Sequence, residues 1–156
     1  MSVTSTIGNP SMKASSLMVM FCVAGSVACA AAAAADTDDA AKTVQRKFAA
    51  FNAHDAAAIQ DIYGADAVLH SPDYPELKGN GPIAGTYRQL FAAIPDAKDE
   101  VQTVDVAGDR VYVQFLLTGH WGGAPDKAVH ARIMSIYTVA DGHITADTTY
   151  YDRKAP

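Results

Sequence analysis

Residues 100–151, EVQTVDVAGDRVYVQFLLTGHWGGAPDKAVHARIMSIYTVADGHITADTTYY, decide the fold class. Apolar residues alternate with polar ones through four runs, Glu100 to Val106, Val111 to Trp121, Val129 to Val139 and His143 to Tyr151. That period of two belongs to strands with one covered face. Ala107-Gly108-Asp109 and Ala140-Asp141-Gly142 lie between runs, where a tight hairpin turn needs residues that tolerate positive φ. The runs are too closely spaced for crossover helices, so the reading is an antiparallel meander with no parallel pairing.

Upstream the period changes. Ala41, Val44, Phe48 and Phe51 recur at three- and four-residue steps, with Lys42, Gln45, Arg46 and Lys47 assigned to the opposite, solvent side. Asp38 or Asp39 is the expected cap. Ala57 to Tyr63 reads as a second short helix, and Ile83, Tyr87, Leu90, Phe91 and Ile94 mark one face of a third, stopped at Pro95. Ala67 to Ser71 is a short strand. Residues 72–82 hold three prolines and two glycines and are expected to be irregular. Helices first and strands afterwards give an α+β domain, with the helices on one face of the sheet.

The N-terminus is of another character. Residues 17–35 carry no charge, Lys13 precedes them, and Ala33-Ala34-Ala35 offers a small-x-small cleavage pattern before Asp36. Residues 1–35 are therefore expected to be a signal peptide, with Met12 as an alternative start, and residues 36–156 the exported domain. The competing reading is a membrane anchor, because the uncharged run approaches the ~20 residues that span a bilayer. Both cysteines, Cys22 and Cys29, fall inside the segment. The mature domain would then hold no thiol, unless Cys29 is retained as a lipid attachment site. A secreted or periplasmic location is expected.

The 156 residues carry 12 basic and 17 acidic side chains, a net charge of −5, and cleavage would remove one lysine and no acid. Such a surface repels phosphate backbones, which argues against nucleic acid as a partner. Nor is a membrane expected, provided the signal is removed and Cys29 unmodified. The histidines are not paired at helical ligand spacing, so no metal or other cofactor is called for.

Four ordered stretches carry a resemblance: FAAFNAHDAAAIQDIYGADAVLHSP (48–72), GPIAGTYRQLFAAIPD (81–96), GDRVYVQFLLTGHWGG (108–123) and ADGHITADTTYYD (140–152). Together they resemble the SnoaL-like branch of the nuclear transport factor two-like superfamily. The resemblance implies a cone-shaped half-barrel, three N-terminal helices on the concave face of a curved, mainly antiparallel sheet, with a pocket between. Strand alternation then nominates the pocket-facing rows: Val111 to Trp121, Val129 to Tyr137, and Ile144, Ala146, Thr148, Tyr150 and Asp152.

The same resemblance implies an aspartate acid/base on the last strand, and Asp152 matches that place, with Tyr150 beside it. A carboxylate at the mouth of an apolar cavity gains basicity through desolvation, which suits proton transfer next to a carbonyl. Trp121, Tyr87, Ser135, Thr148, Phe115 and His70 are the expected substrate contacts. Ser71-Pro72 stands where ketosteroid isomerases of the same fold carry an Asp-Pro pair, so isomerase chemistry of that kind is not expected. Two functions remain open: a cyclase, isomerase or hydrolase acting on a carbonyl-containing apolar or aromatic molecule, and a non-catalytic binding protein for a small hydrophobic ligand. Tyr112, Leu116, Met134 and Ile136 on the outer sheet face point to a homodimer.

Overall fold

The computed structural model describes the backbone of residues 25–151 and side chains from Thr37 onward. Helix α1 (Gly25–Asn52) is followed by α2 (Ala56–Ile62), β1 (Tyr63–Ser71), β2 (Tyr74–Lys78) and α3 (Asn80–Ala93). Four long strands complete the chain: β3 (Lys98–Ala107), β4 (Arg110–His120), β5 (Ala128–Ala140) and β6 (His143–Tyr151). They form one six-stranded sheet in the order β2-β1-β6-β5-β4-β3, with the helices packed on one face. This is the expected α+β architecture.

Local chemistry sets the boundaries. The carboxylate of Asp55 accepts from the backbone N–H groups of Ala57 and Ala58 at 3.1 and 2.9 Å and starts α2. Asp141 and Gly142, both at positive φ, make the two-residue turn between β5 and β6. Helix α1 does not begin at Asp38 or Asp39. It runs unbroken from Gly25 through the alanines, the residues with the highest helix propensity. No helix among the described residues is long and apolar enough to cross a membrane. Residues 1–24, which hold most of the expected signal segment including Cys22, lie outside the described region.

Two features depart from the sequence reading. Tyr74–Lys78, within the stretch expected to be irregular, forms edge strand β2 against β1; an edge position tolerates Pro75 because no further partner needs its missing N–H. And β1 pairs with β6 in parallel. The link between these two strands is nearly the whole domain rather than a single crossover helix, so the spacing of neighbouring runs carried no sign of it.

A third departure moves side chains. Thr138 pairs with Ala146 but Val139 pairs with Ile144, so Thr145 is an extra residue on β6. Such a bulge reverses the inward and outward sense of everything beyond it. Ile144 faces the helices, and after the bulge it is Asp147, Thr149 and Tyr151 that do so, opposite Tyr137, Ser135 and Ile133. The core is formed by Val44, Phe48 and Phe51 of α1, Ile59 and Ile62 of α2 and Ile83 of α3, against Val111, Val113, Phe115, Ile133, Tyr137 and Ile144 of the sheet.

Candidate functional site

At the centre of this core lies a buried polar cluster. Lys47 is 2% exposed, with Phe48, Phe51, Tyr87, Phe115 and Tyr137 rings 4.3 to 5.7 Å from its Nζ. Its ammonium is 3.6 Å from the carboxylate of buried Asp99 on β3. Asn52 holds Asp99 in place through both backbone groups: its side-chain amide donates to the Asp99 carbonyl at 2.9 Å, and its oxygen accepts from the Asp99 N–H at 2.8 Å.

Asp147, 1% exposed, is the second buried carboxylate. Tyr63 donates to its Oδ2 at 2.6 Å and Thr149 to its Oδ1 at 3.1 Å. The Tyr87 hydroxyl is 3.1 Å from that of Tyr63, and Ser135 Oγ is 2.6 Å from Thr149 Oγ1. A hydroxyl has one hydrogen to give. Since Tyr63 and Thr149 spend theirs on an ionised Asp147, Tyr87 donates to Tyr63 and Ser135 to Thr149. Two relays of hydroxyls thus converge on one carboxylate.

Electrostatics follow from one cation serving two acids in a dry interior. Burial pushes the Asp99 carboxyl up to about 6, against the opposing pull of Lys47. Burial also raises Asp147, opposed by Lys47 and by the Tyr63 and Thr149 hydrogen bonds. For Lys47 burial disfavours the charge, but the acids around it, Asp99 and Asp147 among them, outweigh it and hold its proton well above the ordinary lysine range. Burial raises Tyr63, Tyr87 and Tyr137, so all three are neutral donors near neutral pH.

An open cavity of about 1490 Å³ lies at the wide end of the cone. Leu90 of α3, Ile94 just after it and Leu117, Ala131, Ile133 and Tyr151 of the sheet line one side, Gln114, Leu116, Arg132, Met134 and Tyr150 of the outer sheet face line another, and Trp121 and Tyr74 stand at the rim. None of the cluster residues lines this cavity, and strand register places them deeper along β5 and β6. The Ile133–Tyr151 pair is at the floor, Ser135–Thr149 one layer down, and Tyr137–Asp147 two layers down. A smaller hollow of about 480 Å³ near the β5–β6 turn is lined by the exposed Asp61, Asp66, Asp141 and His143. Among the described residues no group of three or more His, Cys, Asp or Glu side chains is arranged to hold a metal.

Of the residues nominated from sequence, Tyr87, Ser135 and Phe115 come together in the interior. Trp121 is 54% exposed in a short 3₁₀ turn (Trp121–Gly123) and reaches only the rim. Tyr150 is 56% exposed and paired with Met134, and Thr148 pairs with Ile136 and His70, so the bulge has put both on the outer face. His70 is exposed, 3.7 Å from Glu76. Asp152 lies outside the described residues. Asp147, Asp99, Lys47, Tyr63 and Thr149 were missed. Lys47 belongs to the apolar face of α1, not to its solvent side. Its spacing was the signal available, because it is three residues after Val44 and four before Phe51, a core position on a helix.

The sequence model of the SnoaL-like domain matches residues 44–146, two thirds of the chain. The chain belongs to the SnoaL-like family. No curated protein matches it by sequence. Similar solved structures include a protein of ketosteroid isomerase-like fold from Catenulispora acidiphila in complex with trimethylamine. It has a TM-score of 0.66 and 22% identity, with 71% of this chain and 85% of that one covered. An LEH-like epoxide hydrolase of M. tuberculosis has a TM-score of 0.65 and 19% identity over 74% of this chain and 84% of its own. A proposed SnoaL-like polyketide cyclase from Jannaschia sp. CCS1 has a TM-score of 0.66 and 21% identity, over 75% and 88%. At these identities the likeness is one of fold, and the SnoaL-like cone serves several chemistries.

Proposed function

We propose that this SnoaL-like protein takes a small apolar molecule into the cavity at the wide end of its cone and moves a proton on it, with Asp147 as the working acid/base. The observation that carries this is the buried carboxylate two strand layers from a cavity of mixed apolar and polar lining, its two oxygens each receiving a hydroxyl hydrogen. Desolvation raises its basicity, and the Tyr63–Tyr87 pair supplies neutral donors for an oxygen that gains charge as the proton leaves. A ketone, ester or epoxide on an otherwise apolar or aromatic skeleton presents such an oxygen. The structural neighbours include a proposed cyclase and an epoxide hydrolase, which is consistent with proton transfer as the shared theme. Export to the periplasm or medium and self-association through the outer sheet face belong to the same proposal.

A second reading has its own support. No buried side-chain nitrogen or oxygen among the described residues lacks a hydrogen-bond partner, as expected of a polar core that specifies a binding scaffold and does no chemistry. Asp147→Asn separates the two. Screened on small aromatic esters, epoxides and polyketide-like ketones, the acid/base reading expects the variant to lose turnover with its circular dichroism unchanged. The binding reading expects no turnover from either protein, with affinity changed only modestly, as read by the fluorescence of Trp121, the chain's single tryptophan. A variant that keeps the full rate would overturn Asp147 as the acid/base.

A further inference from the structure

Asp147 is buried, so a proton that it gains or loses has to pass through a group hydrogen-bonded to it. We infer that Thr149 is that port: its hydroxyl carries protons between Asp147 and the cavity side of β6, and a molecule in the cavity exchanges a proton with an acid it does not touch. For its bearing on catalysis this rests on the reading of Asp147 as the acid/base; as a statement about how Asp147 gains and loses a proton it stands alone.

Two hydroxyls meet the carboxylate, Tyr63 at Oδ2 and Thr149 at Oδ1, 2.6 and 3.1 Å away. Thr149 stands between Asp147 and Tyr151 on one face of β6, and Tyr151 lines the cavity. It is half-buried, whereas Tyr63 is buried. A hydroxyl oxygen has one hydrogen to give and two lone pairs with which to accept. Thr149 gives its hydrogen to Asp147 and takes one from Ser135, which leaves its second lone pair for an incoming proton. As that proton binds, the hydrogen Thr149 already carries passes to Asp147 Oδ1, and the hydroxyl is restored. The reverse sequence takes a proton out. The Tyr63 side is less suited. Its oxygen already accepts from Tyr87, and its other lone pair is delocalised into the ring, which makes a phenol oxygen a far poorer proton acceptor than that of an alcohol. The other titratable groups around Asp147 are Lys47 of α1, Tyr87 of α3 and Tyr137 of β5, with Asp99 of β3 against Lys47. Lys47, Asp99 and Tyr137 are themselves buried, and Tyr87 reaches the carboxylate only through Tyr63.

The full-length protein labelled with 13C at aspartate carboxyls tests this without a substrate. The Asp147 signal, assigned by its loss in Asp147→Asn, is followed from about pH 3 to about pH 10. With the port open, protonated and ionised forms interconvert quickly and should give one averaged line that moves with pH. In Thr149→Val, which keeps the shape and removes the hydroxyl, exchange should slow until the two forms stand as separate lines at the midpoint. Thr149→Ser should restore the averaged line. Tyr63→Phe should keep it, although losing a donor shifts the midpoint there as well. A lost hydrogen bond of merely structural importance would move the midpoint and leave the line averaged. Separate lines in the unmodified protein or in Tyr63→Phe, or an averaged line in Thr149→Val, would overturn Thr149 as the port, and so would an Asp147 signal that stays unmoved across the range. The lines are read with the cavity empty, so failure here is distinct from failure of Asp147 as the acid/base, which turnover of Asp147→Asn decides.

Discussion

Replacing Asp99 by Asn should make the protein less sensitive to pH, and at neutral pH more stable, although it removes one partner of a buried ion pair. Asp99 is 5% exposed and its carboxyl is raised from 3.8 to about 6. Between those values the native state holds a proton that the unfolded chain has released, so stability falls as pH rises. The contribution is fully present below about pH 4 and lost as pH passes through about 6. A displacement of about two units is worth ~3 kcal/mol at 1.36 kcal/mol per unit, or roughly 10 °C in midpoint for a domain of this size. Asn mimics the protonated acid and has nothing to lose. Urea denaturation of both proteins at pH 4, 5, 6 and 7 should therefore give stabilities that differ little at pH 4 and separate by up to ~3 kcal/mol at pH 7, the variant being the more stable. Asp147, also raised by burial, adds slope of the same sign to the unmodified protein. Asp96, exposed and lowered by its hydrogen bond to His120, acts in the opposite direction in both. Parallel curves for the two proteins would refute the argument, since the two chains differ only at Asp99.

Gly119→Ala should destabilise the wide end of the cone by about 2 kcal/mol or more. Its φ is +151°, and an added Cβ would lie 2.5 Å from Cγ2 of Ile94 and 3.2 Å from the Ala97 Cα, where the backbone has little room to yield. A denaturation midpoint equal to that of the unmodified protein would count against this packing. On the outer face of β4 and β5, Tyr112 pairs with Ile136, and Met134 and Leu116 lie on the next two rungs opposite Gln114 and Arg132. Light scattering at tens of micromolar should return a dimer mass that Met134→Glu converts to monomer, and a monomer mass for the unmodified protein would remove the proposed dimer.

The period-two pattern of residues 100–151 fixed four strands whose boundaries agree with the fold to within two residues, Trp121 falling just outside β4, and Asp-Gly at 141–142 specified a turn that only residues at ease with positive φ can make. These were legible because strand alternation and turn chemistry are local properties. The inward placing of Ser135 and Phe115 was equally readable, since β4 and β5 pair without interruption from Arg110 to His120. Beyond Thr145 the reading failed. One bulged residue, demanded by the register between β5 and β6, exchanged the two faces of the last strand, turned Tyr150 and Thr148 outward and brought Asp147 into the core. No local pattern announces such a residue, because it shows only in the pairing of β6 with β5. The same holds for the parallel β1–β6 pair and for the cluster itself. Lys47, Asp99 and Asp147 are 52 and 48 residues apart in the chain, and only the closing of the cone over α1 brings them into one core.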